Sequence, residues 1–195
     1  MKRGLLLSLV VVAASLAACG TSGSGNLVTE DRAAGPFDKL EVSGALRVAV
    51  TVDPAATPAI QVTFDDNLIA TIATRIAGDT LVIEPTESYN VSGGGRKIEV
   101  TTPTLTRVEV SGASNVVGFG ETLLLDVEVS GASDLDFSSL EATEVTVDVS
   151  GASEVIVTAT ASATGDVSGA SEVLVLGKPA VFDIESSGAS DVGTG

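Results

Sequence analysis

Val127-Glu128-Val129-Ser130-Gly131-Ala132-Ser133-Asp134-Leu135-Asp136-Phe137 is one of five variations on a theme in the second half of this chain. Its centre, Ser-Gly-Ala-Ser, recurs at residues 111–114, 130–133, 150–153, 168–171 and 187–190, with starts 19, 20, 18 and 19 residues apart. A near-constant short period marks one structural unit repeated. Before the tetrapeptide the chain alternates, as in Val108-Glu109-Val110 and Val145-Thr146-Val147-Asp148-Val149. After it comes an acid or Asn, then apolar residues, as in Glu154-Val155-Ile156-Val157. Period-two alternation rich in β-branched residues predicts strands with one buried face. The glycine suits a bend or a positive φ, and its small neighbours allow close stacking. Each period reads as two or three short strands around a corner. Coils of ~19 residues stacked at the sheet spacing of ~4.8 Å make an all-β fold, a β-solenoid (β-helix-like). An antiparallel β-sandwich is the alternative, but it gives no reason for four residues to recur in register.

Residues 36–105 are less regular. Leu40-Glu41-Val42, Leu46 to Val52 and Ile60-Gln61-Val62-Thr63-Phe64 are strand-like, and Leu68 to Ala77 has room for a short helical turn. This region reads as a β cap and lead-in, with residues 106–192 as the regular coils. Ser92-Gly93-Gly94 lies 19 residues before Ser111 and resembles a degenerate corner; Ser43-Gly44-Ala45 resembles an earlier one.

The first 18 residues combine Lys2 and Arg3 with an apolar run from Leu5 to Leu16, the pattern of a secretory signal. Leu16-Ala17-Ala18-Cys19 is similar to the lipobox of bacterial lipoproteins, in which the cysteine is acylated. Cys19 is the only cysteine, so it has no disulfide partner. Acyl chains, palmitate among them, would hold the product to a membrane without a transmembrane helix. The expected location is the cell envelope: the outer membrane of a diderm, or the outer face of the plasma membrane of a monoderm. Residues 19–35 read as the lipidated Cys and a flexible tether, led by Gly20-Thr21-Ser22-Gly23-Ser24-Gly25.

Ten basic residues face 26 acidic ones, for a formal net charge of −16. Between Val108 and Gly177 there are twelve acids and no Lys or Arg. Such a surface repels phosphate backbones, so nucleic acid is not the expected partner. Histidine is absent, which excludes His-dependent triads, His-ligated zinc and His-ligated haem. With no Trp, one Tyr and five Phe, the chain has few platforms for stacking on sugar rings. No cofactor is expected.

The ordered set Phe37-Asp38-Lys39-Leu40-Glu41-Val42-Ser43-Gly44-Ala45, the strand after Gly78-Asp79-Thr80, Thr101 to Leu105, and the serial Ser-Gly-Ala-Ser corners resembles the bacterial family described as putative auto-transporter adhesin, head GIN domain. The resemblance runs from Pro36 to Val192. It implies a β-helix-like fold and an exported, often lipid-anchored product, and it brings no catalytic residues. Ala-Ser in place of a second Ser-Gly is a mild departure from the family's corner.

Stacking would turn the residue after each tetrapeptide into the column Asn115, Asp134, Glu154, Glu172, Asp191. An all-oxygen acidic ladder could hold calcium, although Gly-Gly-x-Gly-x-Asp repeats are missing and a solvated column is the simpler reading. The serines Ser114, Ser133, Ser153, Ser171 and Ser190 have no base: Lys178 is the only Lys or Arg after Arg107. They read as turn serines. Asp134 and Asp136, two apart on a strand, share a face and read as surface acids, not as a glycosidase pair. The expectation is therefore a non-catalytic, lipid-anchored envelope protein. Its extended β surface would serve adhesion to a surface protein or glycan. The alternatives are an envelope accessory protein with no external ligand, and a carbohydrate-active enzyme.

Overall fold

Short apolar/polar alternation with left-handed glycines between runs produces strands and corners rather than helices. A computed structural model describes residues 20–195; the expected signal peptide 1–18 and Cys19 lie outside the described residues. The strands are β1 Thr21–Ser22, β2 Leu27–Arg32, β3 Lys39–Val42, β4 Arg47–Val52, β5 Ala59–Asp65, β6 Ile72–Ala77, β7 Thr80–Pro85 and β8 Tyr89–Asn90. They continue with β9 Lys97–Thr102, β10 Arg107–Val110, β11 Asn115–Val129, β12 Asp134–Val149, β13 Glu154–Val167, β14 Glu172–Leu176, β15 Val181–Ser186 and β16 Asp191–Thr194. The fold is all-β. Its one helical element among the described residues is a single 3-10 turn at Ile69–Thr71, inside the segment expected to hold one.

Fourteen strands form one sheet, and β1 with β8 form a second. Pairing in the repeat region is parallel, which removes the antiparallel sandwich. β11 pairs with β12 from Asn115↔Asp134 to Val129↔Val149, β12 with β13 from Asp134↔Glu154 to Val149↔Val167, and β13 with β14 from Glu154↔Glu172. Each repeat thus lies on the next in register. The strands are longer than expected, at 15, 16 and 14 residues for β11, β12 and β13. Register slips at Val117/Phe119, Phe137/Glu141 and Ala142/Glu144 act as bulges that bend the chain without ending the ladder.

Register sorts the side chains. Val42, Val110, Val129, Val149 and Val167 form one inward column, and Val48, Val116, Leu135, Val155 and Val173 another; all are buried. Volume is exchanged between neighbours in the next column. An ideal Cβ on Gly118 would lie 2.5 Å from the ring of Phe137, so the glycine makes room for the largest fully buried side chain.

The first corner is Ser43-Gly44-Ala45. Ser111 N–H donates to the Val42 carbonyl, and Ala113 N–H to that of Gly44. It therefore sits directly beside Ser111, although 68 residues earlier. Ser92-Gly93-Gly94 is not a stacked corner. It lies in the long loop joining β8 to β9, and that loop replaces a tight corner where β7 and β9 flank β3 and β4. Gly93 has nothing within 4 Å of an ideal Cβ. The intervening chain builds antiparallel pairs β5–β9, β2–β5 and β6–β7, which cover this end of the parallel stack.

Residues 20–35 are not a free tether, contrary to the composition. β2 pairs with β5 over six positions, and β1 pairs with β8. The physical reason is Asp65, whose side chain is 0% exposed. It accepts from the Arg96 guanidinium (Nη2 at 2.9 Å) and from the Gly25 N–H (2.7 Å). Asp66 adds hydrogen bonds from Ser24 (2.6 Å) and Asn26 (2.9 Å). A buried carboxylate must be paired to be tolerated, so the segment that completes its shell is held in place.

Arg96 holds the Asp65 carboxyl below the usual carboxylate range. A depressed folded-state pKa contributes stability above the unfolded value of 3.8, and that stability is lost as pH falls through the folded value. Acid titration monitored by circular dichroism should therefore show wild type losing stability below about pH 4. Asp65→Ala should cost about 3 kcal/mol or more at neutral pH in urea unfolding, and should open residues 20–32 to proteolysis.

Candidate functional site

The corner is where the repeat's most specific residues meet. Gly112, Gly131, Gly151 and Gly169 have φ between +83° and +87°. An ideal Cβ on each would lie 2.2–2.4 Å from the carbonyl oxygen of the preceding corner glycine. Three backbone hydrogen bonds cross each step; Ser130, Ala132 and Asp134 N–H donate to the Val110, Gly112 and Ser114 carbonyls. The ladder therefore runs through the corner without a break.

The last serine of the tetrapeptide points inward. Ser114, Ser133, Ser153 and Ser171 are buried. Ser133 Oγ donates to the Ser130 carbonyl (3.2 Å) and accepts from the Ser114 N–H (3.3 Å). Ser153 repeats this with Ser150 and Ser133, and Ser171 Oγ accepts from the Ser153 N–H. These hydroxyls satisfy buried amide groups that the tight turn would otherwise orphan. They are structural, as the sequence suggested.

The acidic column is aligned as expected. Asn115, Asp134, Glu154, Glu172 and Asp191 are consecutive partners, and Arg47 precedes Asn115 at the head of the column. A second column escaped the sequence reading. Glu41, Glu109, Glu128, Asp148, Asp166 and Glu185 are also consecutive partners, on the other side of the corner. Its signal was present as the acid two residues before each corner serine. Arg107 bridges Asp126 and Glu128 near its start. The corner ridge is thus flanked by two acidic lines, each stepping at ~4.8 Å.

Asp136 stays on the same outward face as Asp134. Hydrogen bonds from Ser138, side chain and backbone, lower its pKa, the opposite of what a general acid needs. Among the described residues no group of three or more acidic side chains is arranged to hold a metal ion. Asp134, Glu154, Glu172 and Asp191 are all exposed.

The sequence profile of the family described as putative auto-transporter adhesin, head GIN domain, matches residues 36–120 and 106–179. No curated protein sequence matches the chain. A crystal structure of a putative adhesin from Bacteroides fragilis NCTC 9343 aligns with a TM-score of 0.58 at 20% identity, over 90% of this chain and 100% of that one. At that identity the likeness speaks to fold alone. A putative adhesin from Parabacteroides merdae ATCC 43184 gives 13% identity and a TM-score of 0.46, over 90% of this chain and 99% of that one. A putative lipid binding protein from Parabacteroides distasonis ATCC 8503 gives 17% and 0.42, over 89% and 98%.

Three outcomes test this geometry. Gly151→Ala meets both a positive φ and the Gly131 carbonyl, and should cost about 3 kcal/mol or more in urea unfolding, against about 1 kcal/mol for Gly78→Ala, where φ is +68° but space is open. Ser133→Ala should cost about 1–2 kcal/mol by leaving the Ser114 amide unsatisfied. Calcium titrated into the protein should give no saturable heat in calorimetry, because exposed carboxylates not arranged as a metal site bind it only as a screening counterion.

Proposed function

Because the chain belongs to the putative auto-transporter adhesin, head GIN domain family, we propose that it is a non-catalytic, lipid-anchored envelope protein whose stacked repeats present an extended adhesive face. The parallel ladder is a β-solenoid of ~19-residue coils filling one domain over residues 36–192, the antiparallel strands at its start serving as its cap. The observation that carries the reading is the alignment of six corners, from Ser43 to Ser187, in one hydrogen-bonded stack flanked by columns of outward side chains. Such a face offers the same chemical group at every sheet step. It suits a partner that repeats, and its affinity sums many weak contacts.

Cys19 supplies the anchor in this reading, after removal of residues 1–18, and the acidic face stands away from anionic headgroups. Cys19→Ala should move the protein from the detergent-rich to the aqueous phase on Triton X-114 partitioning. Protease added to intact cells should cleave the wild-type protein. If the protein is protected until the envelope is opened, the external adhesive role is overturned in favour of an internal envelope role.

A further inference from the structure

The long loop that replaces a tight corner between β7 and β9 overhangs the head of the first acidic column and encloses a cleft of about 660 Å³. Arg47, Asn115 and Asp134 line it from successive strands, and Tyr89, Val91 and Arg96 line it from the loop side. The overhang is braced. Tyr89 Oη donates to the Ala45 carbonyl (2.8 Å), and its ring meets Phe64 edge-on with centroids 5.3 Å apart. Arg96 Nη1 donates to the Ser92 and Gly93 carbonyls at 3.0 and 3.2 Å while the same guanidinium is locked on Asp65. Its volume falls within the range of small-molecule sites.

The polar groups are ordered by type. Arg47 only donates, Asn115 donates and accepts, and the Asp134 carboxylate oxygens accept. Two sheet steps, roughly 10 Å, separate the backbones of the first and last. The Arg47 side chain is exposed and forms no ion pair or hydrogen bond among the described residues, whereas Arg32, Lys39, Arg75, Arg96, Lys97 and Arg107 are each paired with acids. It is an open guanidinium at the least acidic point of the ladder.

We propose that this cleft binds an acidic saccharide with a single terminal uronate followed by neutral sugars, its carboxylate on Arg47 and sugar hydroxyls on Asn115 and Asp134. Hydroxyls that both donate and accept match the Asn–Asp end, which a simple anion would not use. The sheet step is close to the rise per sugar in an extended glycan, so successive rings meet successive strands. Tyr89 and Val91 give the apolar wall for a ring face. The proposal deepens the adhesive reading and rests on it.

The test is calorimetry and backbone-amide NMR with a trisaccharide carrying one terminal galacturonate, its carboxyl-reduced neutral counterpart, and an acetylated tripeptide with a free C-terminal carboxylate. The uronate should bind saturably and shift amides in residues 45–47, 89–93 and 113–115. Arg47→Ala and the neutral sugar should each weaken binding about tenfold or more, since a charge-assisted hydrogen bond is lost. Arg47→Lys should recover part of it, and Glu172→Gln, remote on the column, should change nothing. Arg47 is exposed, so an unchanged melting temperature for Arg47→Ala will show that the variant is folded. No saturable uronate binding, equal binding by Arg47→Ala, or equal binding of the tripeptide overturns the assignment. Protein-coated beads tested in parallel for attachment to protein- and glycan-coated surfaces separate the two readings. Attachment without uronate binding removes the cleft and keeps the adhesive face, whereas uronate binding without attachment does the reverse.

Discussion

The close approach of corner backbones governs this molecule. At each step a glycine in the left-handed region places its Cα over the carbonyl oxygen of the preceding corner glycine, where no Cβ fits. The corners can then stack at the same spacing as the strands, and hydrogen bonding continues around the bend. Register follows from this contact, and everything outward or inward follows from register. A one-residue slip would expose the valine columns and bury the acids. The inward serines reinforce the choice, because only an in-register stack places each hydroxyl near the amide it satisfies.

The same constraint has an electrostatic cost. Acids that are harmless in sequence become neighbours at the sheet spacing when the repeats stack. The fold carries two such lines because their side chains are half-buried or exposed and water screens them. Arg107 relieves one line near its start. The burial of paired valines and leucines beneath the lines, together with the backbone ladder, outweighs the repulsion. The result is a polyanionic ridge whose pattern is set by the backbone.

The two ends of the stack differ. At the start, antiparallel pairs flank β7 and β9, and the inward residues Leu40, Val48, Leu81 and Ile98 are buried. At β15, Phe182 is 41% exposed although its partner Ala163 is fully buried. Asp183, Glu185 and Asp191 line these last strands, and charge on an edge discourages indiscriminate pairing with other strands. The overhanging loop and its cleft belong to the closed end, where the regular pattern is interrupted and side chains of several types converge.

The period, the corner, the all-β class and the column headed by Asn115 were legible in the sequence, because a residue at a fixed offset from a repeated glycine must recur at the same place on a stack. The second acidic column was legible from Glu109 onward, but not its first member. Glu41 joins only because a 68-residue excursion returns the chain to Ser43 instead of to Ser92, a distance that counting residues cannot supply. The order of residues 20–35 was hidden for a related reason. Their Gly/Ser composition describes a free chain, whereas their position is fixed by Asp65 and Arg96, 31 residues apart, through a buried charge that must be fully partnered. Local periodicity thus determined the repeating unit. Long-range closure and the pairing of a buried charge, which depend on contacts between distant segments, were decided only in the tertiary structure.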